Sequence, residues 1–480
     1  MRVYPSLRWP LGALLVTLAA IAVSAGPAGS AAPARPQPFP QAQDDGCQRS
    51  PVGLVTGESP AWVYVNKDST PKVVTGRAVN SHVYSNDLSI NHQGYDWQID
   101  ILPDARYANY VGGDPEKKTG NFAGEAGSSQ EKVGSLHTEW ENEAIPPFVW
   151  PSENDRVKAW GGWVWDCAHW NSDFSDNGAA DPGEKTEFHA LRGLVTIRKN
   201  LFGGRQGQTR ADAFISSDGT RAHATAECAL SHHPKDGSSY DAGFKKCMQK
   251  SKNKHQPVND MDYKFFVPAP PKPSGNATLV YRLATRVHGS PPQVIKRKSN
   301  GIQVTVKFKG FGGPNDALRY GRSFFVGWKD AKPRGKHFRV ELGTLTVKHS
   351  LDPNPDAANS QQSTPPGEYV MFLEVNGNWF RLNKLLPSLT SVSDGQTFKL
   401  KRAANVYLPP KHRLRLYAQG WECDVAGELF PCPTGRAEKA LFNDPIGDTV
   451  ALLKPSKAPG KHTLKSPSGD WKLTYKVVRK

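Results

Sequence analysis

The 480-residue chain lacks the short signatures that announce common enzymes. It has no Gly-x-Ser-x-Gly elbow, no Gly-rich phosphate loop closed by Gly-Lys-Ser/Thr, and no His-Glu-x-x-His. Nucleophile-elbow hydrolases, P-loop nucleotide enzymes and helix-borne zinc proteases are therefore excluded as simple readings. Methionine is scarce at four residues, and no heptad pattern is sustained, so a helical bundle is a poor fit. After the run from Leu11 to Val23, no stretch approaches the ~20 apolar residues that a membrane-spanning helix needs. Cysteine is limited to six residues, too few for a scaffold held together mainly by disulfides.

What is present begins with Arg2 and Arg8, the apolar run and the small residues Ser30-Ala31-Ala32. That pattern predicts a signal peptide over 1–32, a linker over 33–46 rich in proline, and a secreted, extracellular mature protein. Export gives the cysteines a role, because an oxidising compartment favours pairing. Proximity pairs Cys228 with Cys247 and Cys423 with Cys432, which leaves Cys47 for Cys167; six cysteines nevertheless allow about 15 connectivities.

The 14 tyrosines and 13 tryptophans join many Val/Thr-rich runs that alternate with period two, and the chain reads as all-β. Strands are expected around Ala61–Val65, Asp96–Leu102, His137–Glu141, Trp160–Cys167 and Thr186–Arg198. A hairpin at Asp218-Gly219 would lead into Ala222-His-Ala-Thr-Ala, and the one helix is expected around Asp241–Ser251. The Pro-rich stretch 268–274 reads as a boundary between a β domain over 47–267 and a β connecting region over 275–335. A β-sandwich is expected over 336–480.

Charge divides along the same lines. Net charge is +16, yet residues 47–200 hold 14 basic against 21 acidic side chains, residues 201–335 hold 23 against 9, and residues 336–480 hold 21 against 13. A basic surface on an exported protein predicts attachment to an anionic polymer or surface (cell wall, phospholipid or polysaccharide), with nucleic acid bound only unspecifically.

The densest chemistry lies in Trp163-Val-Trp-Asp-Cys-Ala-His-Trp170 and Thr186-Glu-Phe-His189. Strand parity puts Trp163, Trp165, Cys167 and His169 on one face and Val164 and Asp166 on the other. His169, Glu187 and His189 have the residue types of a two-histidine, one-carboxylate centre for a divalent transition metal, with Asp166 or Glu139 as a base. The alternative is a strand pair anchored by Cys167, its tryptophans in the core and its imidazole fixed by a carboxylate. Trp163, Trp165 and Trp170 could also form a stacking platform for sugar or base rings.

Asn154-Asp-Arg-Val157, Asp166-Cys-Ala-His169 and Thr186-Glu-Phe-His189 resemble a pattern in secreted bacterial proteins: Gly-Asp-Arg-Val, Asp-Cys-Gly-His, then Thr-Glu-Ile-His-Pro. The resemblance covers about residues 90–200 and implies a small OB-like barrel, with no activity to carry over. The chain departs from it at Asn154, Ala168 and Ala190. Near the C-terminus, Trp421-Glu-Cys-Asp424 and Asn443-Asp-Pro-Ile-Gly447, with Gly367-Glu-Tyr-Val-Met-Phe-Leu-Glu-Val375 upstream, resemble a C2 domain. That resemblance implies a C2-like antiparallel β-sandwich and possible calcium ligands at Asp352, Asp356, Glu422, Asp424 and Asp444. Asn443 in place of an acid departs from it.

The sequence reading is thus an all-β chain, an OB-like small barrel followed by a C2-like sandwich. It is expected to be a disulfide-stabilised binding or surface-interaction protein, the alternative being an extracellular metal-dependent hydrolase.

Overall fold

The computed structural model describes residues 39–48, 58–84, 96–113, 119–121, 134–140, 149–151, 154–167, 185–197, 208–216, 221–234, 239–253, 262–272, 275–286, 293–307, 321–329, 335–350, 369–376, 378–382, 392–408, 413–423, 443–446 and 449–480. The expected signal peptide lies outside them, as do the first part of the 33–46 linker and the partner expected for Cys423. Among the described residues, no helix is long and apolar enough to cross a membrane.

Strands β2 (Lys72–Tyr84), β3 (Asp96–Pro103), β4 (His137–Trp140), β5 (Arg156–Asp166) and β6 (Thr186–Ile197) form a closed ring. In order, β5 pairs β2, β2 pairs β3, β3 pairs β4, β4 pairs β6, and β6 returns to β5. All of these pairings are antiparallel except β4 with β6. This is the OB-like barrel, and strand β1 (Trp62–Tyr64) adds to β5 outside the ring. The closure follows from period two: Val157, Ala159, Trp163 and Trp165 of β5, with Cys167 just beyond its end, join Ile99, Ile101 and Phe188 in the barrel core, while Val164 faces the opposite side with Trp62 and Tyr64.

Strand β6 is irregular against β5, with register shifts on both sides of Gly161. Four residues of β6 (Phe188 to Leu191) span what three residues of β5 (Gly161 to Trp163) span, so β6 bulges beside His189.

The sheet continues from β6 through β7 (Gln208–Ser216) and β12 (Gly321–Lys329) to β9 (Thr278–Arg286). A three-stranded sheet of β10 (Gln293–Lys298), β11 (Gly301–Lys307) and β8 (Asp262–Pro268) packs on this extension. Their shared core contains Val195, Phe214's neighbours Ala213 and Ile215, then Tyr263, Phe265, Val304 and Phe324. Residues on both sides of the Pro-rich stretch 268–274 therefore fill one core. Gly193 permits the approach, since a Cβ there would meet the Phe265 ring at 3.0 Å.

The described residues include the α-helices α1 (Ala42–Asp45), α2 (Arg221–Ser231) and α3 (Ala242–Asn253). The third matches the expected helix. The second corrects the sequence reading, which took Ala222-His-Ala-Thr-Ala for a strand after a hairpin. The alternation of polar residue and alanine fits period two, but His223, Ala226 and Ala229 recur at helical spacing and are buried on one side. A disulfide from Cys228 to Cys247 joins α2 to α3, and another from Cys47 to Cys167 ties the segment after α1 to the end of β5. Gly46 ends α1 in the left-handed region at φ 109, its N–H capping the carbonyls of Ala42 and Gln43.

The described residues between 336 and 480 form a two-sheet antiparallel sandwich. One sheet runs β16 (Thr397–Leu408), β13 (Lys336–Val347), β21 (Trp471–Arg479), β20 (Gly460–Lys465). The other runs β15 (Asn378–Arg381), β14 (Tyr369–Val375), β17 (Leu414–Cys423), β18 (Asn443–Pro445), with β19 (Thr449–Leu453) also on β17. Alternate residues such as Val340, Leu345, Met371, Leu416, Trp471 and Leu473 fill the space between. The second sheet turns its outer face to the barrel, where Phe372 meets Trp150 edge-on at 5.0 Å between ring centroids.

Candidate functional site

Parity along β3, β4 and β6 builds one polar cluster on the outside of the barrel. Ile99 and Phe188 point into the core, so Gln98 and Asp100, His137 and Glu139, and Glu187 and His189 point outward. Register aligns them: Gln98 lies opposite Glu139, and His137 opposite Glu187. The cluster is nonetheless buried, Asp100 at 1%, Glu187 and His189 at 2% and Glu139 at 8% exposure. Trp62 of β1 covers one side, its ring edge-on to the His189 imidazole at 4.7 Å.

The contacts form an alternating chain of acids and imidazoles. His137 Nδ1 is 2.7 Å from Asp100 Oδ1, and its Nε2 is 2.9 Å from Glu139 Oε1. The other Glu139 oxygen lies 3.4 Å from His189 Nε2, and His189 Nδ1 lies 3.0 Å from Glu187 Oε1. Gln98 Nε2 donates to Glu139 Oε1 at 2.8 Å. Burial opposes a charge on His137, but its hydrogen bonds to Asp100 and Glu139, and their charges, outweigh burial and hold it well above the usual imidazole range. Glu187 is raised chiefly by burial, with the Asp166 and Glu139 charges adding to the effect and His189 working against it.

A second group lies on the same side of the barrel under α2. His223 Nδ1 is 2.6 Å from the Tyr64 hydroxyl and 3.1 Å from Arg192 Nη2. Burial, then the Arg192 charge, hold His223 well below the usual imidazole range, and because a guanidinium can only donate, Nδ1 of the neutral ring is the acceptor towards Arg192. Tyr64 also reaches Glu227 Oε1 at 3.2 Å. This group docks α2 onto β1 and β6.

The sequence-predicted residues divide as follows. Glu187 and His189 are together, while His169 lies outside the described residues. Their near partners are His137, Glu139 and Asp100. The clue available in the sequence was the polar stripe of Gln98/Asp100 and His137/Glu139 at period two. Trp163 and Trp165, read as a stacking platform, are instead core residues at 6% and 0% exposure, with no open ring face; Trp170 lies outside the described residues. Of the calcium acids, Asp352, Asp356 and Asp424 also lie outside. Glu422 is fully buried, and β17 and β18 align it opposite Asp444.

The outward face of the β16–β13–β21–β20 sheet is cationic. Lys461 lies directly opposite Lys476, and Lys465 opposite Lys472, with Thr463 and Thr474 between the two pairs. Thr344 and Thr346 of β13 continue the face, and Lys399 of β16 lies opposite Thr344. Thr344 and Thr474 share a hydrogen bond at 2.9 Å between hydroxyls, and Thr346 meets Thr397 at 3.2 Å. Glu341 on this face is 3.0 Å from Arg339. The exposed large hydrophobic side chains among the described residues, Val294, Val450 and Leu452, lie on other strands.

Fold and sites together define an all-β protein carrying an OB-like barrel and an antiparallel sandwich, with a buried His/carboxylate cluster and a cationic sheet face. No protein-family model and no curated protein matches the chain. Among solved structures, the chain is similar to a fragment of extended-synaptotagmin 2 that holds its SMP domain and two C2 domains, at 7% identity and a TM-score of 0.19. The match covers 86% of this chain and 60% of that one. At that score the likeness carries no argument.

Proposed function

We propose that the chain is a secreted binding protein that attaches, through the outward face of the β16–β13–β21–β20 sheet, to a phosphate-rich anionic polymer. The observation that supports it is the pair of lysine pairs, Lys461/Lys476 and Lys465/Lys472, set directly across adjacent strands. Like charges so placed oppose sheet formation, an effect that Glu341, opposite Lys476 on β13, offsets for one pair. A bound polyanion relieves that repulsion and releases its own counterions.

A flat face of Lys and Thr offers ammonium and hydroxyl donors but no apolar wedge. That favours a linear phosphate polymer over a bilayer, where a buried apolar side chain would add to the electrostatic attraction. The two sheets also face different surroundings, since the other sheet of the sandwich presents Phe372 to the barrel.

The test is binding of the full chain to linear polyphosphate at low and moderate salt. Wild type should bind with an affinity that falls steeply with salt, and the combined Lys461→Gln, Lys465→Gln, Lys472→Gln, Lys476→Gln variant should lose at least tenfold with its melting temperature equal to or above that of wild type. No binding by wild type at low salt rejects the reading. Equal binding by the variant rejects this face, and stronger binding to anionic vesicles than to polyphosphate rejects the polymer.

A further inference from the structure

We infer that the barrel holds a divalent transition-metal ion between His137 Nε2, His189 Nε2 and the Glu139 carboxylate, with Asp100 and Glu187 orienting the two imidazoles. The inference is independent of the attachment reading, which concerns the sandwich.

Two geometric features carry it. First, the two imidazoles aim the same nitrogen at one carboxylate: His137 Nε2 and His189 Nε2 lie 2.9 and 3.4 Å from the two oxygens of Glu139. Second, each imidazole's other nitrogen is held by its own acid, Nδ1 of His137 by Asp100 at 2.7 Å and Nδ1 of His189 by Glu187 at 3.0 Å. A carboxylate behind each histidine is how metal ligands are held in one tautomer and one orientation. Beside these, ligand atoms of His137, Glu139 and Glu187 lie within 4.8 Å of one another, a group that holds Glu187 in place of His189 and makes that acid a further ligand candidate. Two ligands on opposite sides of one ion, each about 2.0–2.2 Å from it, are separated by a little less than that.

The backbone also positions the group. His137 and Glu139 share one short strand, and the bulge in β6 re-aims His189 relative to Glu187. Trp62 closes the side next to His189, whereas His137, at 17% side-chain exposure, leaves a route to solvent. Two nitrogens and a carboxylate suit zinc, manganese, iron or cobalt better than calcium, which prefers an all-oxygen set. On binding, the Nε2 protons are released to solvent and each ring nitrogen donates its lone pair to the ion, while Asp100 and Glu187 keep the Nδ1 hydrogens.

The experiment uses the full chain, freed of metal with a chelator and then given zinc, cobalt or calcium alone. One zinc or cobalt ion should bind per chain, raise the melting temperature and, for cobalt, produce visible absorption from nitrogen and oxygen ligands; calcium should do none of this. Glu139→Gln should weaken zinc binding at least tenfold. Asp100→Asn should weaken it about 10- to 100-fold while the cobalt spectrum keeps its ligand set, because the residue orients a ligand without being one. If wild type takes up no stoichiometric transition metal, or Glu139→Gln binds zinc as wild type does, the inference fails and the cluster is a hydrogen-bonded network. Should Glu139→Gln not fold, the wild-type stoichiometry and cobalt spectrum decide alone.

Discussion

Trp62 meets the His189 imidazole edge-on, 4.7 Å between ring centroids, from a strand that is not part of the closed barrel. Trp62 is 6% exposed and packs with Tyr64, Val164 and Ala226. Trp62→Ala should therefore cost about 3–5 kcal/mol in urea unfolding, the usual loss for a buried large aromatic, and Trp62→Phe much less. A loss under about 1 kcal/mol for the alanine variant would show that β1 does not cover the cluster.

Two carboxylates outside the cluster should respond to pH with opposite sign. Asp45 accepts from Trp165 Nε1 at 2.8 Å and from the Asn66 N–H at 2.7 Å, yet burial outweighs these bonds and raises its pKa. Its folded value lies above its unfolded one, so its contribution is complete below the ordinary carboxylate range and is lost as pH rises through the raised value. Asp45→Asn, which keeps an acceptor without the charge, should hold or raise the melting temperature at pH 7, whereas Asp45→Ala should cost about 1–3 kcal/mol by leaving two donors unmatched.

Asp104 behaves in the reverse way. Arg156 binds it through both guanidinium nitrogens, at 2.6 and 2.7 Å, and holds its pKa at about 2. Its stabilising contribution is present above the ordinary value near 3.8 and lost as pH falls towards 2. Asp104→Asn should lower the melting temperature slightly at pH 7 and by progressively less as pH falls through about 2, as read by thermal unfolding across that range. A difference that persists at the acid end would assign the effect to something other than this ion pair.

The two described disulfides differ in the length of chain they close. Cys47–Cys167 spans 120 residues and Cys228–Cys247 spans 19. On chain entropy, the first should contribute about 4–5 kcal/mol and the second about 3 kcal/mol. Paired Cys→Ser variants, compared by denaturant midpoint, test that order; a larger loss from the short bridge would mean that it does more than limit the unfolded chain.

Much of the fold was legible because alternation along a strand is a local property. Trp471–Val477 and Asp96–Leu102 declare themselves by period two within seven residues, and Tyr369–Val375 by a short apolar run of strand length. Ring closure is different in kind: β5 and β6 are neighbours in sequence, but the parallel step from β4 to β6 joins His137 to Glu187 across the intervening chain. The cluster was half legible for the same reason. Glu187 and His189 are two residues apart and could be paired by parity, whereas Asp100, His137 and Glu139 join them only through register. Helix α2 was misread because an Ala-rich segment with polar residues at every second position satisfies both periods. Only the burial of His223, Ala226 and Ala229 together decides for the helix.

Strand β6 belongs to two cores at once. Phe188, Leu191 and Leu194 fill the barrel, and Val195 fills the core beneath the three-stranded sheet. Neither core can open without disturbing a strand the other depends on, so the barrel and its extension should exchange their amide hydrogens as a single cooperative unit. The slowest amides of β6, followed by hydrogen exchange, would then report one opening free energy for a region whose sequence is interrupted by a Pro-rich stretch.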